Sequence, residues 1–223
     1  MNENFGVLSN CSLFKEIDRT EFAVLLDELN ASKRTYRRDE VIFAAGERAT
    51  EIGVVLSGSI CVSQEDYWGN RTILSAVDEG DIFGEAFCCS GCAALPVTVT
   101  AMTDTEILLL DGDRLTDIND RSGFKARLAT NLMRVLAEKN IALTRKIRHI
   151  TKRTTREKVM SYLSECAAAA GKSSFAIPFD RQQLADYLSV DRSALSVTLC
   201  KMRDDHLIRF RKNEFTVLQL EDD

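Results

Sequence analysis

The chain has 223 residues, two prolines and 45% hydrophobic residues, which fits one large domain or two modest ones with little disorder. No apolar run approaches the length of a membrane span and no charged-then-apolar signal opens the chain, so the cytoplasm is expected and membrane partners are not. Seven cysteines, an odd number, do not suggest a secreted disulfide framework, and a net charge of −5 argues at first sight against a nucleic-acid partner.

That charge is unevenly spread. Residues 150–223 carry 12 Lys or Arg against 11 Asp or Glu, so the acidity belongs to the N-terminal part. Local charge matters more than the total for phosphate contact.

In chain order, Asn10 to Leu29 gives a helical pattern with Phe14, Ile17, Phe22, Leu25, Leu26 and Leu29 as its apolar set, and Asp18 is placed to cap the part beginning at Arg19. From Tyr36 the texture changes to short runs of β-branched and aromatic residues. These are Val41–Phe43, Ile52–Leu56, Ser59–Ser63, Thr72–Ala76, Ile82–Phe83, Val97–Ala101 and Glu106–Leu110. Glycines punctuate them, and Tyr67-Trp68-Gly69-Asn70 reads as a hairpin turn. Many short strands at this spacing predict a small antiparallel barrel or roll.

After Leu110 the period becomes helical. A brief helix is predicted over Asp113–Asn119, then a long one from about Ser122 to Ile150. Roughly 28 residues at 1.5 Å each make about 42 Å, more than one small roll can cover. Leu128, Leu132, Val135 and Ala142 form one stripe; Ala129, Met133, Leu136, Leu143, Ile147 and Ile150 form another beside it. One stripe can pack on the helix's own domain and the other on a partner; the alternative is a buried core helix in a monomer.

The helix ends in a basic cluster of Arg145, Lys146, Arg148, Lys152, Arg153, Arg156 and Lys158, suited either to neutralising phosphates or to keeping a hinge soluble. A helix over Arg156–Ala170 follows, ended by Gly171, then a short strand at Phe175–Ile177.

Phe179 to Ile208 reads as two short helices joined by a tight turn at Ser189-Val190-Asp191, with Asp191 capping the second. Leu195, Leu199 and Met202 face inward; Arg192, Ser193, Ser196, Val197 and Cys200 face outward. An outward face of small polar residues and one arginine suits a DNA major groove. An ordinary packed helical hairpin is the alternative. Ile208–Phe210 and Phe215–Leu220 predict a terminal hairpin.

This order of parts resembles the family of bacterial regulators that includes the cyclic-AMP receptor protein and the fumarate–nitrate reduction regulator. The resemblance spans essentially the whole chain. It rests on Val41–Glu47 with Val54–Ile60, on Gly80-Asp81-Ile82-Phe83-Gly84-Glu85, and on the two-helix stretch itself. It implies an α+β protein: an N-terminal double-stranded β-helix, that is, a cyclic-nucleotide-binding-like roll, a long dimerisation helix and a C-terminal winged helix-turn-helix. The expected domains are an effector-sensing roll over 1–118, the dimerisation helix over 119–150 and the DNA-binding domain over 151–223. The resemblance further implies a homodimer on near-palindromic operator DNA, an effector that re-aims the reading heads, and RNA polymerase as a partner.

Residue by residue, Arg192 matches the family arginine that reads guanine, and Arg181 and Gln182 match positions touching backbone phosphate. Ser193 replaces a glutamate and Val197 a second arginine of the cyclic-AMP receptor, so with Ser196 they are expected to change the target. In the roll, the effector-pocket candidates are Gly84, Glu85, Leu95 and Pro96. Cyclic-nucleotide binders place an Arg-Ser or Arg-Thr step where this chain has Leu95-Pro96, so no cyclic-AMP binding is expected and no cofactor is required. Glu85 is then retained structurally.

Cys88, Cys89 and Cys92 lie just past Glu85 and offer a redox or metal alternative, although small cysteines filling a turn are the plainer reading and no metal site is assigned. The family's iron–sulfur ligand set is incomplete, because only Cys11 lies near the start. His149 and His206, both outside the roll, do not form the clustered set of a metal-dependent β-roll enzyme, and no phosphate loop or nucleophile elbow is present. No enzyme is expected.

Overall fold

The computed structural model describes residues 5–48, 50–116 and 123–218. The chain forms two compact units, residues 1–70 with 74–140, and residues 71–73 with 141–223.

The first unit opens with α1 (Phe5–Asn10), a 3-10 turn at Ser12–Phe14 and α2 (Arg19–Glu28). Asp18 starts α2 in extended backbone, and the Glu21 carboxylate accepts from the Asp18 N–H at 3.1 Å, half of a capping box. Eight strands follow: β1 (Ser32–Tyr36), β2 (Val41–Phe43), β3 (Glu51–Ser57), β4 (Ser59–Glu65), β5 (Arg71–Asp78), β6 (Ile82–Phe83), β7 (Thr98–Ala101) and β8 (Thr105–Asp111). They form two four-stranded sheets, ordered β1-β8-β3-β6 and β2-β7-β4-β5.

One core lies inside the roll and includes Ile42, Val55, Ile60, Phe83, Val99 and Ile107. A second includes Leu25, Leu29, Val54, Leu108, Leu128 and Leu132. Strands β3 and β8 contribute to both cores, which is why Ile52–Leu56 and Ile107–Leu110 are apolar without alternation. Strand β1 is one element that sequence reasoning missed. It reads Ser-Lys-Arg-Thr-Tyr, almost wholly exposed at a sheet edge, where polar residues guard against stray pairing and leave no apolar signal.

Two turns need special backbone. Gly58, between β3 and β4, has φ +84, and a Cβ there would stand 2.5 Å from the Asp104 carbonyl oxygen. In the β4–β5 hairpin, Asp66 Oδ1 accepts the Trp68 and Asn70 N–H groups at 2.9 and 2.8 Å, in the predicted turn.

Helices α3 (Glu85–Cys89), α4 (Gly112–Thr116) and α5 (Gly123–Ile150) complete the series. The end of the brief helix predicted to Asn119, and the boundary expected at 118/119, lie outside the described residues. On α5, Leu128, Leu132 and Val135 are buried as expected. Ala142 is exposed instead, because α5 has by then run past residue 140, where the first unit ends. The other stripe is open in part: Met133, Leu143 and Ile147 are 63%, 50% and 56% exposed, whereas Leu136 is partly buried against the first unit's core.

The second unit holds α6 (Thr155–Ala170), β9 (Ser174–Ala176), α7 (Arg181–Leu188), α8 (Arg192–Asp204), β10 (Ile208–Arg211) and β11 (Glu214–Val217), with sheet order β10-β11-β9. Thr154 and Glu157 start α6 with reciprocal side-chain-to-backbone bonds of 3.2 and 3.1 Å. Gly171 ends it at φ +62. Strand β9 begins one residue before the predicted position, and the predicted end of the last strand, Gln219-Leu220, lies outside the described residues.

Candidate nucleic-acid interface

Helices α7 and α8 form from the stretch singled out in the sequence. Asp180 caps α7, accepting from the Gln183 N–H at 2.8 Å, and Asp191 caps α8, accepting from the Ala194 N–H at 2.8 Å. Between them Ser189 takes the left-handed conformation, φ 51. The Leu188 and Ser189 carbonyls at the end of α7 accept from Lys158 Nζ at 3.3 and 3.2 Å. Leu195, Leu199 and Met202 are buried, and α8 packs against α6 and α7. One face of α8 is thereby fixed to the unit and the other is left to solvent.

That outer face is less uniform than its sequence suggests. The Ser193 hydroxyl donates to Asp191 Oδ1, and with the Ala194 N–H it lowers the Asp191 pKa. The Ser196 hydroxyl donates to the Arg192 carbonyl at 3.0 Å. Both serines therefore turn a donor back onto their own helix. Val197 is 55% exposed, with no polar group to offer. Arg192, exposed at the first turn of α8, has no ion-pair partner among the described residues. Its five donors remain available to a ligand.

Arg181 and Gln182 stand at the start of α7. Arg181 is half-buried: its guanidinium lies 5.1 and 5.6 Å from the Phe210 and Phe215 ring centres and donates to the Lys212 carbonyl at 3.2 Å. Burial lowers its pKa, and the contacts make it a strut holding the β10–β11 wing. Gln182 donates to Asp186 Oδ1 at 2.8 Å.

Most of the basic cluster is likewise engaged. Arg148 pairs with Glu165, Arg156 pairs with Asp205 at 2.5 Å, Lys158 caps α7, and Lys146 lies 4.5 Å from the Tyr187 ring centre. Lys152 and Arg153 are exposed and have no ion-pair partner among the described residues. Sequence reasoning left phosphate contact and hinge solubility open; the paired Arg148 and Arg156 are still 61% and 50% exposed. The engaged members link helices within the second unit.

His149 is part of that structure. Its Nδ1 is 2.8 Å from the Ser161 hydroxyl and its Nε2 is 3.4 Å from Glu165 Oε2. Burial lowers its pKa, outweighing the upward pull of Glu165; Arg148 and Lys152 add to the lowering. The unfolded chain therefore takes up this proton first on acidification, so stability falls as pH drops below about 6.5 and through the folded value. Urea unfolding from about pH 8 to about pH 5 checks this, and His149→Gln should flatten the slope below about 6.5.

In the first unit, Gly84 (φ +84) leads into α3, and a Cβ there would stand 3.0 Å from the Glu51 carbonyl oxygen. Glu85 is buried, and its Oε1 is 2.8 Å from Lys139 Nζ on α5. The same ammonium donates to the Ile82 carbonyl at 2.6 Å. Among the described residues, Glu85 Oε2 has no hydrogen-bond partner. Sequence reasoning missed Lys139, because a lysine on a helix face carries no local signal of a distant buried acid. Leu95 is buried and bonds through its backbone to Gly46 and Glu47, both at 2.8 Å, while Pro96 is exposed and has no N–H. Inside the roll, the Phe43 and Phe83 rings lie 5.4 Å apart. A cleft of about 230 Å³ remains, lined by Arg34, Tyr36, Phe43, Arg48, Glu51 and Leu95 among others.

The cysteines past Glu85 do not converge. Cys88 packs against Gly112, and burial pushes its thiol up to about 11; burial also raises Cys89. The Cys92 thiol donates to the Ala94 carbonyl at 2.9 Å. No group of three or more His, Cys, Asp or Glu suited to a metal ion occurs among the described residues. Among those residues, no helix is long and apolar enough to cross a membrane.

Residues 33–122 match the model of the cyclic nucleotide-binding domain, and residues 157–222 match that of the Crp-like helix-turn-helix domain. A search of curated proteins finds no significant match. Among solved structures, the chain resembles FixK2 from Bradyrhizobium japonicum at 22% identity and TM-score 0.69, covering 84% of this chain and 92% of that one. It resembles the c-di-GMP-responsive global regulator CLP of Xanthomonas campestris at 18% identity and TM-score 0.75, covering 90% and 99%. A mutant of CooA from Carboxydothermus hydrogenoformans gives 19% identity and TM-score 0.73, covering 99% and 94%. With a cyclic nucleotide-binding domain followed by a Crp-like helix-turn-helix over most of its length, the chain belongs to the CRP/FNR family of DNA-binding transcription regulators.

Proposed function

We propose that the protein is a cytoplasmic homodimer that binds near-palindromic operator DNA through α8 and is gated by an effector other than cyclic AMP. The domain roles follow: residues 1–118 sense the effector, 119–150 dimerise and 151–223 bind DNA, with RNA polymerase as the further partner. The observation that carries the reading is α8 itself, packed on one face and open on the other, with Arg192 uncommitted at its first turn. An arginine there can donate to O6 and N7 of one guanine in each half-site. Val197 faces the same groove, and Ser193 and Ser196 fill positions whose hydroxyls are already engaged with the helix. Arg181 and Gln182 border the phosphate backbone at the start of α7, Arg181 chiefly by steadying the wing.

The open stripe of α5 supports the dimer. Leaving Met133, Leu143 and Ile147 in water forgoes apolar burial that a second copy supplies. The effector pocket region is Gly84, Glu85, Leu95 and Pro96. Leu95-Pro96 offers no cation for a cyclic phosphate, and Lys139 already holds Glu85. The same fold serves CLP, which is c-di-GMP responsive, so the roll alone does not dictate cyclic AMP.

Two experiments test the reading. Selection from random DNA should enrich an inverted repeat with a G·C pair at matching places in both halves; no enrichment would overturn it. Titration calorimetry with cyclic AMP should show no binding, and saturable binding at one site per chain would overturn the effector assignment.

A further inference from the structure

The face of β1 that looks into the roll carries charge. Ser32, Arg34 and Tyr36 stand opposite Leu109, Ile107 and Thr105 of β8, and residues paired across a sheet share a face. Ile107 and Leu109 belong to the core inside the roll, and Tyr36 packs against it, so Arg34 is on the inward face. Its neighbour Lys33 is on the outward face, paired with Glu106 at 2.6 Å. Glu51 repeats the pattern on β3, where it shares a face with Val55 of the same inner core. Such positions are ordinarily apolar. Arg34 and Glu51 both line the cleft of about 230 Å³, together with Arg48, while Tyr36, Phe43 and Leu95 supply its walls. Neither guanidinium, nor the Glu51 carboxylate, has a hydrogen-bond or ion-pair partner among the described residues. The cleft's other carboxylate, Glu47, accepts from the Ala44 N–H at 3.0 Å. Opposite charges thus line one small cleft without pairing with each other.

We propose that this cleft binds a free α-amino acid, its carboxylate held by Arg34 and Arg48 and its ammonium by Glu51. The ligand must carry both signs. A dicarboxylate would set one acid against Glu51, and a simple amine would set its charge against two arginines. Guanidinium forks meet a carboxylate through parallel N–H donors, and such charge-assisted bonds are the stronger kind. The cleft is smaller than the ~300–1,000 Å³ pockets of drug-sized ligands, which suits a molecule of amino-acid size. The charges come from β1, β3 and the segment between β2 and β3, not from the Leu95-Pro96 step, and Glu85 stays with Lys139. Strand β1 is a sheet edge, separated from β3 by β8 alone, so the ligand ties that edge to the middle of its sheet. An inward charge on an edge strand can also serve only to block stray pairing, and the experiment separates the two roles. That the bound amino acid is the effector rests on the gating proposed above; the site itself does not.

Thermal unfolding of the full chain with each of the twenty protein amino acids, with succinate and with butylamine tests this, followed by calorimetry on any that stabilises. At least one amino acid should raise the melting temperature, because it binds only the folded roll. Succinate and butylamine, each lacking one of the two charges, should not. Arg34→Gln, Arg48→Gln and Glu51→Gln should each weaken binding by about 10–100-fold, and Lys33→Gln should leave it unchanged. Lys33, Arg34 and Arg48 are exposed, so circular dichroism should show their variants folded. Stabilisation by succinate or butylamine but by no amino acid would overturn the ligand class. No stabilisation by any probe would leave Arg34 as an edge guard and overturn the site, as would binding that survives all three substitutions. Binding that meets these expectations yet leaves affinity for DNA selected from a random pool unchanged keeps the site and overturns gating through it.

Discussion

Arg192→Ala should abolish discrimination at one G·C pair in each half-site while leaving salt-sensitive binding to random DNA nearly intact. A bidentate arginine–guanine contact is worth about 1–3 kcal/mol against the wrong base, and a symmetric dimer makes it twice. Phosphate contacts supply the sequence-independent part of the affinity and do not pass through this side chain. Arg192 is exposed, so its removal leaves the packing of Leu195, Leu199 and Met202 untouched and the fold intact. Fluorescence anisotropy on selected and random duplexes reads both affinities. Equal losses on the two would count against base reading. Ser193→Ala should act differently, because its hydroxyl bonds Asp191. Its effect belongs to the start of α8 and should fall on stability before specificity.

Leu143→Lys should turn the dimer into a folded monomer and lower operator affinity by about 10²–10⁴, the loss expected when two linked half-site contacts become independent. Leu143 is half exposed in the single chain, so a lysine there reaches water unless a second copy covers it. In the dimer two ammonium groups would share an apolar layer, which is unfavourable both as desolvation and as like charge. Circular dichroism should be unchanged, and sedimentation should show half the mass. Leu132→Lys makes the useful contrast. That residue is 7% exposed in the first unit's own core, and its substitution should unfold the unit instead.

Legibility in the sequence followed the kind of signal. Helices α7 and α8, the caps Asp18 and Asp191 and the closing Gly171 were legible because caps and periodic apolar positions are local. Strand β1 was not, because an exposed edge needs no apolar alternation. Helix α3 was read as a turn, since its five residues are shorter than any period that could reveal them. The roles of Lys139, Lys158 and Arg181 were hidden for another reason. Each acts on a residue 30 or more positions away, on Ile82, Leu188 and Lys212 respectively, and a charge in sequence looks the same whether solvated or engaged. That is why the sequence left the role of the basic cluster open, while the structure pairs Arg148 and Arg156 within the second unit and sets Lys146 near the Tyr187 ring.

A paired reading head is the central claim, and its most direct test is a hydroxyl-radical footprint of the protein on DNA enriched from a random pool. The account predicts two protected half-sites in inverted orientation, centred about 34 Å or one helical turn apart, both lost together with Leu143→Lys. A single protected half-site, or two that persist when the protein is a monomer, would contradict it.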